Sequence, residues 1–224
     1  MTYKIDTIPV WNAFKESGGC PICALYAKLE SASVSLYLNE AVMEPLYRVE
    51  VNRTGFCKEH FKRLSNGGNK LGLTLEAITR TEYLEKNLPQ PKNAKAAARA
   101  ADTIIKAVSG CVICDSIDKS MRLYLETVAA MYAAERDFPA AFRASGGFCA
   151  SHYAELLRFS RCAGKAAADF LRAVEETFFT GLGSAKADAD AFAQKFDACK
   201  HGGAAPHISE RDAAALPKLI GKIN

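Results

Sequence analysis

Two cysteine motifs occur twice in this 224-residue chain, in the same order and at nearly the same offset. Cys20-Pro-Ile-Cys23 is answered by Cys111-Val-Ile-Cys114, 91 positions later, and Gly55-Phe56-Cys57-Lys-Glu-His60 by Gly147-Phe148-Cys149-Ala-Ser-His152, 92 positions later. Six of the eight cysteines and two of the four histidines fall into these sets, which cysteines scattered through a core as small hydrophobes would not do. The pattern implies a duplicated module with four metal-binding side chains per copy, and it restricts the fold to one that can bring such pairs together.

The joint is expected at Lys86-Asn-Leu-Pro-Gln-Pro-Lys-Asn93, where two prolines remove backbone donors and disfavour helix before them. This divides the chain into a first repeat over residues 1–90, a second over 94–183, and a C-terminal helix and flexible tail over 184–224. Leu25, Leu29, Ala32 and Leu36 follow helical steps after Cys23, as do Ile117, Met121, Tyr124, Val128 and Met131 after Cys114. Helix is further predicted over 75–84, 94–108, 140–144, 154–179 with an interruption near Gly164, and 188–199. The best strand candidate, Val49 to Val51, is short, so the fold class is all-α.

Glycine-containing breakers stand directly before all four motifs, so each pair opens a helix. Residues three apart in a first helical turn share a face, and the positive end of the helix dipole favours thiolate, the form that binds metal. Three thiolates and one imidazole match a closed tetrahedral zinc site. The expected ligands are Cys20, Cys23, Cys57, His60, Cys111, Cys114, Cys149 and His152, holding two zinc ions per chain. An extended return from Glu44 to Gly55 has the reach to close a site within one copy. Pairing across the copies, Cys20 and Cys23 with Cys149 and His152, is equally open.

An iron–sulfur cluster is the main alternative, because the same donors can hold one. Thioredoxin-type dithiol exchange lacks its strand–helix context, and c-type haem lacks the histidine directly after the second cysteine. No His-Glu-x-x-His, Gly-x-Ser-x-Gly or phosphate loop is present, and Ser65-Asn-Gly-Gly-Asn69 reads as a turn. Cys162 is expected to be incidental. Cys199, His201 and His207 form a weaker candidate third site. Arg48, Arg53, Lys58 and Arg63 are expected to be a solvated basic face.

The formal net charge of +4 gives no reason to expect a nucleic-acid partner, and no apolar run approaches the roughly 18 residues of a membrane span. The opening MTYKIDTIPV lacks a basic segment followed by an apolar one, so a cytoplasmic protein with reduced thiols is expected. Its partner would be another protein or a small molecule.

Asp6-Thr-Ile-Pro-Val-Trp11, Cys20-Pro-Ile-Cys23, Val42-Met-Glu-Pro45, Arg48, Asn52 and Gly55-Phe-Cys57 with His60 together resemble a bacterial family of unknown function. Its members carry Cys-Pro-x-Cys, Met-Glu-Pro and Gly-Phe-Cys-x-x-His in that order, and the likeness spans roughly residues 1 to 180. The resemblance implies that Glu44, Pro45, Arg48 and Asn52 act as a group in the first half. The second half has Glu135-Arg136-Asp137 where the first has Glu44-Pro45-Leu46. The expected function is that of a zinc-stabilised interaction or regulatory module. A redox protein, or a metal-dependent enzyme with a pocket near Glu44, Arg48 and Asn52, is the alternative.

Overall fold

The computed structural model describes residues 7–16 and 18–200. All regular structure among the described residues is helical: α1 (Thr7–Glu16), α2 (Pro21–Asn39), a 3-10 turn (Ala41–Met43), α3 (Pro45–Thr54), α4 (Lys58–Asn66), α5 (Lys70–Asn87), α6 (Ala94–Val108), α7 (Val112–Ala134), α8 (Phe138–Arg143), α9 (Ala150–Phe159), a second 3-10 segment (Ser160–Ala166) and α10 (Ala167–Lys200).

Local chemistry sets many of these boundaries. Pro45 opens α3 from an extended Glu44, so Val49 and Val51, the strand candidates, lie inside a helix. Their β-branching is a weak preference that proline before them and Gly55 after them override. Asn69 caps α5: its Oδ1 accepts from the Gly72 amide at 2.9 Å, and its Nδ2 donates to the Leu38 carbonyl at 2.8 Å. Asn93 caps α6 in the same way through the Ala96 amide. Gly164, at φ 55° and ψ −121°, makes the kink expected there. The separate C-terminal helix expected beyond residue 184 is instead a continuation of α10. Gly181 and Gly183 do not break it, and Gly181 packs against Gly147 at the distance of a backbone contact.

The chain forms two compact units, one from residues 1–26 with 121–224 and one from 27–120. Their limits fall inside α2 and α7 rather than at the proline-rich joint, so they do not coincide with the sequence halves 1–90 and 94–183.

The core of the discontinuous unit is aromatic. Phe142, fully buried, stacks on Phe14 at 5.3 Å and meets Tyr132 and Phe170 at 5.4 and 5.5 Å. Trp11 packs edge-on against Phe138 and donates from Nε1 to Glu135. Such pairs add about 0.5–1.5 kcal/mol each beyond their burial. In the 27–120 unit, Tyr37 packs edge-on against Tyr47 and Phe56, and Val51, Leu64, Leu73 and Ile113 are buried. No helix among the described residues is long and apolar enough to cross a membrane.

Candidate metal centres

The four motifs share one construction. Gly55 ends α3 at φ 82°, a left-handed conformation that costs a side chain dearly, and its amide donates to Val51. Phe56 then packs against Tyr37. Cys57 is extended and caps α4 through its carbonyl, which accepts from the Phe61 amide at 2.9 Å, while its thiol makes no capping bond. Gly147 (φ 89°), Phe148 against Phe14 and Phe142, and Cys149, whose carbonyl accepts from Tyr153, repeat the arrangement. Cys20 and Cys111 stand just ahead of α2 and α7, with their carbonyls accepting from Ala24 and Asp115. The Cys111 sulfur also accepts from the Cys114 amide at 3.5 Å, so the first turn of α7 holds the two cysteines of that motif side by side.

The structure brings all eight expected ligands together in two quartets, paired across the halves of the sequence. The outer quartet is Cys20, Cys23, Cys149 and His152, and the inner one is Cys57, His60, Cys111 and Cys114; in each, the donor atoms lie within 4.8 Å of one another. Each quartet lies wholly within one compact unit. Closure within a copy requires a return path as long as α2. Because α3 is helical rather than extended, its ten residues cover only about 15 Å of the roughly 28 Å spanned by the nineteen of α2, which leaves closure within a copy to the few residues on either side of α3.

In both quartets the imidazole Nδ1 faces three sulfurs. His152 Nδ1 lies 3.5, 3.2 and 3.2 Å from the sulfurs of Cys20, Cys23 and Cys149. His60 Nδ1 lies 3.4, 3.3 and 3.3 Å from those of Cys57, Cys111 and Cys114. The Cys23–Cys149 and Cys57–Cys114 sulfur pairs are 3.7 and 3.9 Å apart. A tetrahedral ion about 2.3 Å from sulfur and about 2.0–2.1 Å from nitrogen sets edges of about 3.8 Å between sulfurs and about 3.6 Å between sulfur and nitrogen. The Cys23–Cys149 and Cys57–Cys114 edges match that tetrahedron, and the sulfur–nitrogen edges of 3.2–3.5 Å run a little short of it. A polynuclear cluster spreads its ligands over different irons and holds them farther apart. Each quartet can therefore hold one metal ion.

Electrostatics show what the donors require. Hydrogen bonds to Cys20 and Cys23 hold the Cys149 thiol far below its ordinary range, while Cys149, Cys20 and burial push Cys23 far above it. Burial, then Cys111 and Cys57, push Cys114 up. Burial disfavours the His152 imidazolium, but Cys149 and Cys20 outweigh it and raise the group to about 10. Donors packed this closely cannot all take the ligating form unless a cation stands among them.

The inner quartet has an outer layer that sequence reasoning missed. His60 is 3% exposed, and its Nε2 makes no well-formed hydrogen bond; Glu30 Oε1, 3.3 Å away, is within ion-pair reach. Glu30 Oε2 pairs with Arg63 Nη1 at 3.1 Å. A carboxylate behind the imidazole favours the tautomer that leaves Nδ1 free for an ion. Arg63 lies one turn after His60, the one positional hint available, and it belongs to this pair rather than to a free basic face. Arg53 and Lys58 are exposed.

The Met-Glu-Pro group has a structural role here. Glu44 is exposed and opens α3, its carbonyl accepting from the Arg48 amide. Asn52 accepts from Thr79 through its side chain at 2.9 Å, and from Arg80 through its carbonyl. Cys162 is exposed, and the seven cysteines from Cys20 to Cys162 are free thiols. The candidate third site lies outside the described residues: His201 and His207 are beyond them, as is the side chain of Cys199.

No curated protein and no solved structure matches the chain. Residues 1–215 match the model of a family described as "Family of unknown function (DUF6062)". A family of unknown function was the expectation, and the chain belongs to one, the DUF6062 family.

Proposed function

We propose that the protein binds two zinc ions, one in each quartet, and that these ions fasten helix starts distant in sequence into a scaffold serving as an interaction or regulatory module. The observation that carries the reading is the near-tetrahedral set of sulfur–nitrogen and sulfur–sulfur distances in both quartets. Four protein donors complete zinc's preferred coordination and leave no position for a reacting water, which favours a structural over a catalytic ion. Single-ion spacing favours zinc over an iron–sulfur cluster. The free thiols fit a reducing, cytoplasmic setting.

Anaerobic purification followed by elemental analysis and an absorption spectrum tests the proposal. About two zinc per chain with no charge-transfer band near 400 nm is the expected result. Iron with acid-labile sulfide overturns it.

A further inference from the structure

In the 27–120 unit, a cavity of about 270 Å³ lies beside α3, α5 and the end of α6, walled by Val51, Phe56, Phe61 and Leu73 and carrying two charged residues, Glu76 and Arg80. Glu76 is 2% exposed, and neither of its carboxylate oxygens has a hydrogen-bond partner. A buried acid in that condition either keeps its proton or needs a cation beside it to ionise. Its natural helical partner, Arg80 one turn on, is committed elsewhere. Arg80 donates to the carbonyls of Asn52 and Thr54 at the end of α3 and to that of Ala107 near the end of α6, the last at 2.7 Å. These carbonyls carry the negative ends of two helix dipoles, which offset the guanidinium charge. Arg48 acts on Glu76 only through space.

We propose that this cavity is a binding site for a small organic ammonium compound, whose N–H groups donate to Glu76 while its apolar body packs against Phe56 and Phe61. Mostly apolar walls with a few polar groups, here Glu76, Arg80, Thr54 and Thr81, are the usual make-up of a small-molecule pocket, and a volume at the small end for such sites limits the occupant to a single ring with a short chain. The site is independent of the metal quartets in its chemistry. It supplies a ligand class for a module whose ions leave no coordination position open.

The test uses the full metal-loaded chain at pH 8, where Glu76 has given up its proton, and two probes of nearly equal shape, phenethylammonium and neutral 2-phenylethanol, titrated by calorimetry. The ammonium is expected to bind at least tenfold more tightly than the alcohol. Glu76→Gln should abolish that preference at unchanged zinc content, and Ala77→Trp, which fills the cavity from its lining, should abolish binding of both. Equal binding of the two probes to the wild-type chain, or no binding of either at millimolar concentration, overturns the proposal whatever the variants do. So does an ammonium affinity unchanged by Glu76→Gln. Zinc content is read in the same samples, so failure here is distinguishable from failure of the metal assignment.

Discussion

Replacing Glu76 by glutamine keeps the shape of the side chain and removes its titration. Burial raises the Glu76 carboxyl from its ordinary 4.5 to about 7, against a smaller lowering from Arg48. The folded state thus holds its proton over a range in which the unfolded chain has lost it. For a group raised on folding, the stabilising contribution is complete below pH 4.5 and is lost as the pH rises through about 7. The whole loss corresponds to about 3 kcal/mol, of which about 2 kcal/mol falls between pH 5.5 and pH 8. Tyr37, on the neighbouring α2 segment, is pushed up to about 12 by burial and stays neutral throughout this window. Urea unfolding of the zinc-loaded wild type and Glu76→Gln, run in parallel at pH 5.5, 6.5 and 8, measures the difference. Both proteins share the same metal sites, whose own pH dependence cancels in the comparison. The variant should gain about 2 kcal/mol on the wild type across the series. A constant difference would mean that Glu76 is as well solvated or as well partnered as in the unfolded chain, and would refute its burial as an isolated acid.

Two further substitutions probe the motifs. Gly55→Ala forces a β-carbon into a left-handed backbone position and to 3.2 Å from Arg80 Nε, so a loss of about 1–3 kcal/mol is expected in thermal or urea unfolding; no loss would contradict the backbone role of the Gly-Phe-Cys motif. Glu30→Gln should weaken zinc binding to the inner quartet by roughly 10- to 100-fold and leave the outer one unchanged. It would appear as biphasic release to a chelating dye, and a single unchanged phase would remove Glu30 from the site.

The sequence made the ligands legible because their chemistry demands specific residue types at helical spacing, and the breakers before Cys20, Cys57, Cys111 and Cys149 marked the helix starts. The helices were legible for the same reason: the apolar stripes after Cys23 and Cys114 are local features, whereas the caps at Asn69 and Asn93, which looked like a turn and a joint, emerge only in the structure. Pairing of the quartets is not local. It turns on whether residues 45–54 run extended or helical, and Pro45 with Gly55 decides for helix over two β-branched valines. The compact units are hidden for a related reason, since proline and glycine mark chain breaks, whereas the cores gather segments as distant as Phe14 and Phe170. Gly181 offered a break that α10 does not take, because the missing side chain is needed for its approach to Gly147. Glu76 left a faint trace, an acid on the helical stripe between Leu73 and Arg80. Glu30 left none.

The exchanged pairing is tested most directly by counting metal in double variants. Cys20→Ser combined with Cys149→Ser damages one quartet twice, whereas Cys20→Ser combined with Cys57→Ser damages both quartets once. Measured by elemental analysis after equilibration with limiting chelator, the first pair should retain about one zinc per chain and the second close to none. The reverse outcome, metal kept by Cys20→Ser/Cys57→Ser and lost by Cys20→Ser/Cys149→Ser, would mean that each half of the sequence closes its own site.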